Sequence, residues 1–234
     1  YHESAFIPFR FGDGIYAMPV TQNFNMMFYR KDVFEEIGIE VPNTWDEFYD
    51  VQKELVQHKL DIGVAQGLIT FEMFLLQHGA NIYNEDLTQS GLKQQNAVDA
   101  FTQWTDLYVK HGLPLEYNFF NRFRTGEMPL GISTYTMYNQ LSVAAPEIEG
   151  LWEMVPIPGT VNEDGSITRI QASTNNAAIV IGTSKNLEGA FDFVEWWAGS
   201  DVQTEFGRQS EMLLGKSARY NTANRVAFQN LNWS

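Results

Sequence analysis

The chain has no cysteine. That absence removes disulfides, thiol catalysis and cysteine-ligated zinc. It does not settle the compartment, because a 234-residue chain can bury a core that needs no covalent staple. Histidine is also scarce. His2, His58, His78 and His111 are scattered, and no His-Glu-x-x-His pair offers metal ligands on one helix face. All but His2 fall at the ends of predicted helices, where an imidazolium favours the helix dipole. Basic side chains number 15 against 29 acidic ones, a net charge of −14. A field of that sign repels phosphate backbones, so no nucleic-acid partner is expected. No apolar run approaches the roughly 20 residues needed to span a bilayer. There is no serine-centred elbow and no phosphate loop. Gly12-x-Gly14 is too short for one and lacks a third glycine and a following helix. Nor does Tyr1 follow an initiator Met, a basic n-region or an apolar leader.

What remains is an ordinary globular composition, 44% hydrophobic and 19% charged, suited to one large domain or two small ones. Aromatic residues make up 14%, with 6 Trp, 10 Tyr and 17 Phe, enough to fill a core and still line a ligand cleft. Strand and helix signals alternate along the chain. Residues 8–18 predict a hairpin about Gly12-Asp13-Gly14. Asp32 is placed to cap a helix ending at Ile37, with Gly38 in the left-handed position after it. Thr44-x-x-Glu47 is a capping-box pattern for a helix reaching about His58. Further helices are expected over Phe71 to His78, Gln95 to His111, Phe119 to Thr125 with Gly126 at its end, Tyr135 to Val143, Leu187 to Ala198 and Asp201 to Gln209. In the Gln95 helix, Val98, Phe101, Thr105 and Tyr108 align on one side. Short strands are expected at Ile62 to Ala65, Met128 to Ser133, Trp152 to Pro156 and, as a buried one, Ala177 to Ile181. Asn162-Glu163-Asp164-Gly165 reads as a surface turn, since it lacks the ligand ladder of a calcium loop. Such alternation defines an α/β protein.

The stretch from Gly14 to Phe48, GIYAMPVTQNFNMMFYRKDVFEEIGIEVPNTWDEF, resembles a segment of the extracellular solute-binding proteins of ABC importers, the maltose-binding-like family. Tyr117 to Tyr138, Trp152 to Gly159, Ala177 to Ala190 and Phe193 to Phe206 resemble further blocks of that family in the same order. The resemblance implies a type II periplasmic-binding-protein-like α/β fold, with one nearly complete lobe and part of the other. It implies that residues 1–22 belong to lobe 1, 23–176 to lobe 2 and 177–213 to lobe 1, while 214–234 begin a C-terminal helical segment. The chain would cross between lobes near Thr21 to Asn25, Gln171 to Asn176 and Leu214 to Tyr220. Family members are longer, so the resemblance also implies a piece excised from a parent protein. Such a piece is expected to bind more weakly than its parent.

By the same resemblance the partners are a small-molecule solute, a sugar or oligosaccharide, and the transmembrane subunits of an ABC permease. The parent is expected outside the cell, at the surface or in the periplasm, as a lipid-anchored protein. No cofactor, metal or catalytic residue is implied. A sugar needs many uncharged hydrogen-bonding groups and a flat apolar platform. Gln22, Asn23 and Asn25 supply such groups at the first crossing, and Ser173, Thr174 and Asn175 at the second. Thr134, Tyr135 and Tyr138 follow a strand at the lobe edge, and Thr70 opens a helix where the family often meets its ligand. This chain departs from many sugar-binding relatives in carrying Thr134-Tyr135-Thr136 where they place Trp, and Ser173 to Asn176 in place of a Gly-Gly. The alternative from another class is a glycan-processing enzyme or a carbohydrate-binding accessory module, with Glu72, Glu116 and Glu127 as the carboxylates to consider. A third is a binder of peptides or another polar solute on the same scaffold.

Overall fold

The structure is a computed structural model, and it describes residues 1–231. The end of the expected C-terminal helical segment, residues 232–234, lies outside the described residues. The chain divides into two compact units. One comprises Tyr1–Asn23 and the chain from Ser173 onward; the other is Phe24–Ala172.

The first unit opens with a 3₁₀ stretch, Glu3–Phe9. A minimal hairpin follows, β1 (Arg10–Phe11) and β2 (Gly14–Ile15), with Arg10 opposite Ile15 and Phe11 opposite Gly14. Gly12 takes φ +56°, a conformation that favours glycine. Next comes β3 (Met18–Asn23).

The second unit is built on a four-stranded sheet. Its central strand β4 (Asn25–Arg30) is followed by α1 (Lys31–Ile37), α2 (Trp45–Gln57), β5 (Ile62–Val64) and α3 (Leu68–Gln77). Then come α4 (Gln95–Val109), α5 (Phe119–Thr125), β6 (Leu130–Thr134), α6 (Met137–Ala144) and β7 (Trp152–Val155). A small hairpin, β8 (Thr160–Val161) and β9 (Ile167–Thr168), closes the unit. Strand order is β5-β6-β4-β7, with β5 parallel to β6 and the other pairs antiparallel.

Period-two alternation sends β4 side chains to opposite faces, and both are buried. Met27 joins Ile62, Val64, Leu130 and Ile132 under α1 to α4, against Phe34, Phe48, Leu55, Phe74 and Leu107. Phe28 faces the other way, into a cluster with Phe119, Phe123, Met128 and Leu141. Gly63 and Gly131 lie opposite each other on that second face. A Cβ on Gly131 would overlap the Phe119 ring, so the two glycines form the notch that seats it.

Several local expectations hold. Thr44 and Glu47 form the full capping box, and Gly38 and Gly126 are left-handed at φ +79° and +82°. Others fail for identifiable reasons. Asp32 does not cap α1; its carboxylate takes two hydrogen bonds from Arg30, at 2.8 and 2.6 Å. On α4 the buried stripe is Ala97, Ala100 and Leu107, while Val98 and Phe101 are exposed. The start of α4 meets the core through alanines, while further along Leu107, Trp104 and Tyr108 pack against it, so the expected side faces the core only at Tyr108.

The chain returns to the first unit through β10 (Thr174–Ala178), α7 (Leu187–Ala198), α8 (Ser200–Leu214) and α9 (Arg225–Leu231). β10 pairs antiparallel with β3, and Ile179 and Ile181, expected in a buried strand, lie beyond its end and are exposed. Leu214 to Tyr220, where a third crossing was expected, stays with this unit. Thr222 bridges Thr21, and the Ala223 N–H donates to Val20 O at 3.0 Å. Part of the buried interior here is polar and hydrogen-bonded. Gln203 donates to Trp197 O at 2.8 Å and accepts from the Thr222 hydroxyl at 2.9 Å, and Asn224 donates to Ala198 O at 2.9 Å.

Candidate functional site

In the first unit the β3–β10 ladder sets the candidate residues side by side. Its register places Asn23 opposite Thr174, Gln22 opposite Asn175 and Thr21 opposite Asn176. Side chains link across it. Gln22 donates to Ser173 Oγ at 3.2 Å, Asn175 Nδ2 donates to the same oxygen at 3.1 Å, and Asn176 donates to Thr21 Oγ1 at 3.0 Å. Gln22, Asn23, Ser173, Thr174 and Asn175 are therefore one cluster, although 151 residues separate Gln22 from Ser173. The Oδ1 atom of Asn23 is buried and has no hydrogen-bond partner among the described residues. An acceptor left unmatched in this way costs about 1–3 kcal/mol, so the position favours an incoming donor.

In the second unit the other candidates gather at one sheet edge. β5 and β6 run parallel and end at the same side, where β4 begins. Asn25 lies opposite Thr134 in the register, and the Tyr135 N–H donates to Phe24 O at 2.8 Å. The carboxyl ends of parallel strands are where open α/β sheets ordinarily bind ligands. Thr134 is exposed, and its hydroxyl lies 3.1 Å from that of Thr136. Tyr135 is only 7% exposed and stacks on Phe24, with ring centroids 4.8 Å apart at 22°. Burial raises its phenol above the ordinary value, so the ring stays neutral. Tyr138 packs edge-on against Trp152, centroids 5.6 Å apart. Thr70 is buried in α3 and donates to Ala65 O at 2.6 Å, so its hydroxyl serves the strand-to-helix turn. Beside it Leu68 and Ile69 are exposed at the start of α3.

Two contributors were not apparent from the sequence. Phe24 lies in the first crossing, but its stacking on Tyr135 depends on strand register. Gln171 lies in the second crossing, but its side chain acts on Asn25, 146 residues away. Of the carboxylates considered for a glycosidase, Glu127 accepts from Arg122 at 3.3 Å, Glu72 lies on α3, and Glu116 precedes α5.

The profile of the bacterial extracellular solute-binding proteins matches residues 2–204. The chain therefore belongs to that family, whose members are binding proteins. A binding protein of Brucella abortus is 24% identical over 214 residues, covering 85% of this chain. The chain spans about half the length of that relative, 50%. The fold matches the sugar-binding protein MalE of Xanthomonas citri with a TM-score of 0.73 at 19% identity, over 99% of this chain and 62% of that one. Maltose-bound MalE3 of T. maritima gives a TM-score of 0.69 at 19% identity, over 98% and 60% of the two chains. The fold is thus the α/β periplasmic-binding type expected from the sequence.

Proposed function

We propose that this chain is part of an ABC-type solute-binding protein. It helps capture a carbohydrate-type solute and pass it to the transmembrane subunits of a permease. The reading rests chiefly on the chemistry of the candidate residues: Gln22, Asn23, Asn25, Thr134, Ser173, Thr174 and Asn175 are all uncharged hydrogen-bonding groups, whereas the Thr70 hydroxyl is taken up by its own turn. Neutral amides and hydroxyls match a polyol without the desolvation cost of burying a charge. The aromatic pair Phe24–Tyr135 adds flat apolar surface at the sheet edge, although Tyr135 itself is largely covered. The unmatched Asn23 acceptor suits a sugar hydroxyl. Membership in an extracellular solute-binding family and likeness to sugar-binding folds support the same reading.

The proposed mechanism is a hinge. The chain passes between the units at Asn23–Phe24 and again at Ala172–Ser173, and solute binds the closed arrangement in preference to the open one. No bond is made or broken. The parent protein is proposed to act outside the cell, held at the membrane by a lipid anchor. Calorimetric titration with neutral saccharides, amino acids and dipeptides tests the ligand class. Heat is expected with saccharides. Binding of amino acids or dipeptides, with no saccharide bound, would overturn the carbohydrate reading.

A further inference from the structure

Strand β4 begins with a ladder position that no strand completes. Phe24 O accepts from Tyr135 N–H, so Phe24 uses its main chain toward β6. In an antiparallel ladder the neighbouring residue directs its N–H and C=O to the opposite side. For Asn25 that is the side of β7. Yet β7 ends at Val155, which lies opposite Met27, one rung short. Asn25 is 9% exposed, and unpaired main-chain groups there would be costly. The Gln171 side chain fills the place. Its Oε1 accepts from Asn25 N–H at 2.8 Å, and its Nε2 donates to Asn25 O at 2.9 Å. A primary amide has the donor and acceptor needed to imitate one strand residue.

We propose that Gln171 is a positioning residue that fixes where the second unit ends. Its amide substitutes for the missing strand residue and holds the main chain of Asn25 rigidly in the sheet. In the first unit the last ladder pair is Asn23 with Thr174. Between that pair and the Gln171 amide lie only Phe24 on one segment and Ala172 and Ser173 on the other. If the hinge reading above is correct, on which this consequence rests, rotation is confined to those few residues. A Gln171→Leu chain would extend the loose segment into Asn25 and blur the position of the candidate groups Asn25, Thr134 and Tyr135.

The test is residue-resolved amide hydrogen exchange on the whole chain without solute, so it stands apart from the ligand reading. In Gln171→Leu the Asn25 amide should exchange about 10-fold faster or more, while Met27 and Tyr29 in the same strand keep their protection. Gln171→Glu retains the acceptor and loses the donor, so its Asn25 amide should exchange closer to the wild-type rate than to that of the Leu variant. Unchanged Asn25 exchange in Gln171→Leu would overturn the proposal. An equal loss of protection at Asn25, Met27 and Tyr29 would also overturn it, since the residue would then support the whole unit rather than its boundary.

Discussion

The two units differ in how far their apolar side chains are covered. In Phe24–Ala172 both faces of a four-stranded sheet are covered, and Phe28, Phe48, Phe74 and Phe123 are fully buried. In the other unit a two-stranded ladder leaves Ile15, Tyr16, Phe191, Phe193 and Trp196 more than half exposed, while amides and hydroxyls fill much of the interior. A groove of about 390 Å³ lined by Tyr16, Met18, Val180 and Phe191 opens on that apolar surface. The difference teaches that apolar content alone does not mark a core. A ring contributes stability only where other elements cover it.

Substitutions can break or sharpen this contrast. The largest effect is expected from Phe28→Ala, which empties a fully buried site between two antiparallel neighbours and should cost about 3–5 kcal/mol in urea denaturation. Trp196→Ala in the first unit removes a larger ring that is 56% exposed, and it should cost well under half as much as Phe28→Ala. Equal costs would erase the distinction between the units.

Gln77→Leu comes next. Gln77 is 3% exposed; it accepts from Trp45 Nε1 at 2.8 Å and Thr160 Oγ1 at 3.0 Å, and donates to Pro158 O at 3.2 Å. Leucine fills the volume but strands an indole N–H and a carbonyl, a loss of about 2–3 kcal/mol by thermal or urea unfolding. Thr44→Ala removes half of the capping box on α2 and should cost about 1 kcal/mol by the same measurement.

These effects bear on what the sequence reveals. The capping box, Gly38 and Gly126 were legible because each depends on neighbours within a few residues. The α4 face was not, since Ala97 and Ala100 are selected by the close approach of other elements rather than by their own hydrophobicity. Ile179 and Ile181 looked like a buried strand for the converse reason: their apolar character gives no information about what covers them. At the candidate site the residue types were legible through the family resemblance. The Gln22–Ser173 link and the Gln171–Asn25 pairing were not, because only strand register brings such distant residues together.

The smallest effect concerns pH. Hydrogen bonds from Arg30 hold the Asp32 carboxyl below its usual value, against the opposing effect of burial. A carboxyl depressed in the folded state contributes stability above the ordinary carboxylate range, and that contribution is lost as pH falls through the folded value. Asp32→Asn should therefore flatten the acid limb of the stability profile slightly, measured by urea midpoints from neutral pH downward. An acid limb as steep as that of the wild type would assign the dependence to other groups.

The central proposal is that uncharged groups on the β3–β10 ladder and at the β5–β6 edge each contact a neutral solute. Hydrogen exchange with and without a saccharide found to bind tests it most directly. The account predicts added protection at residues 21–25, 134–138 and 171–176. Saccharide-dependent protection confined to other segments, such as residues 38–54, would contradict it.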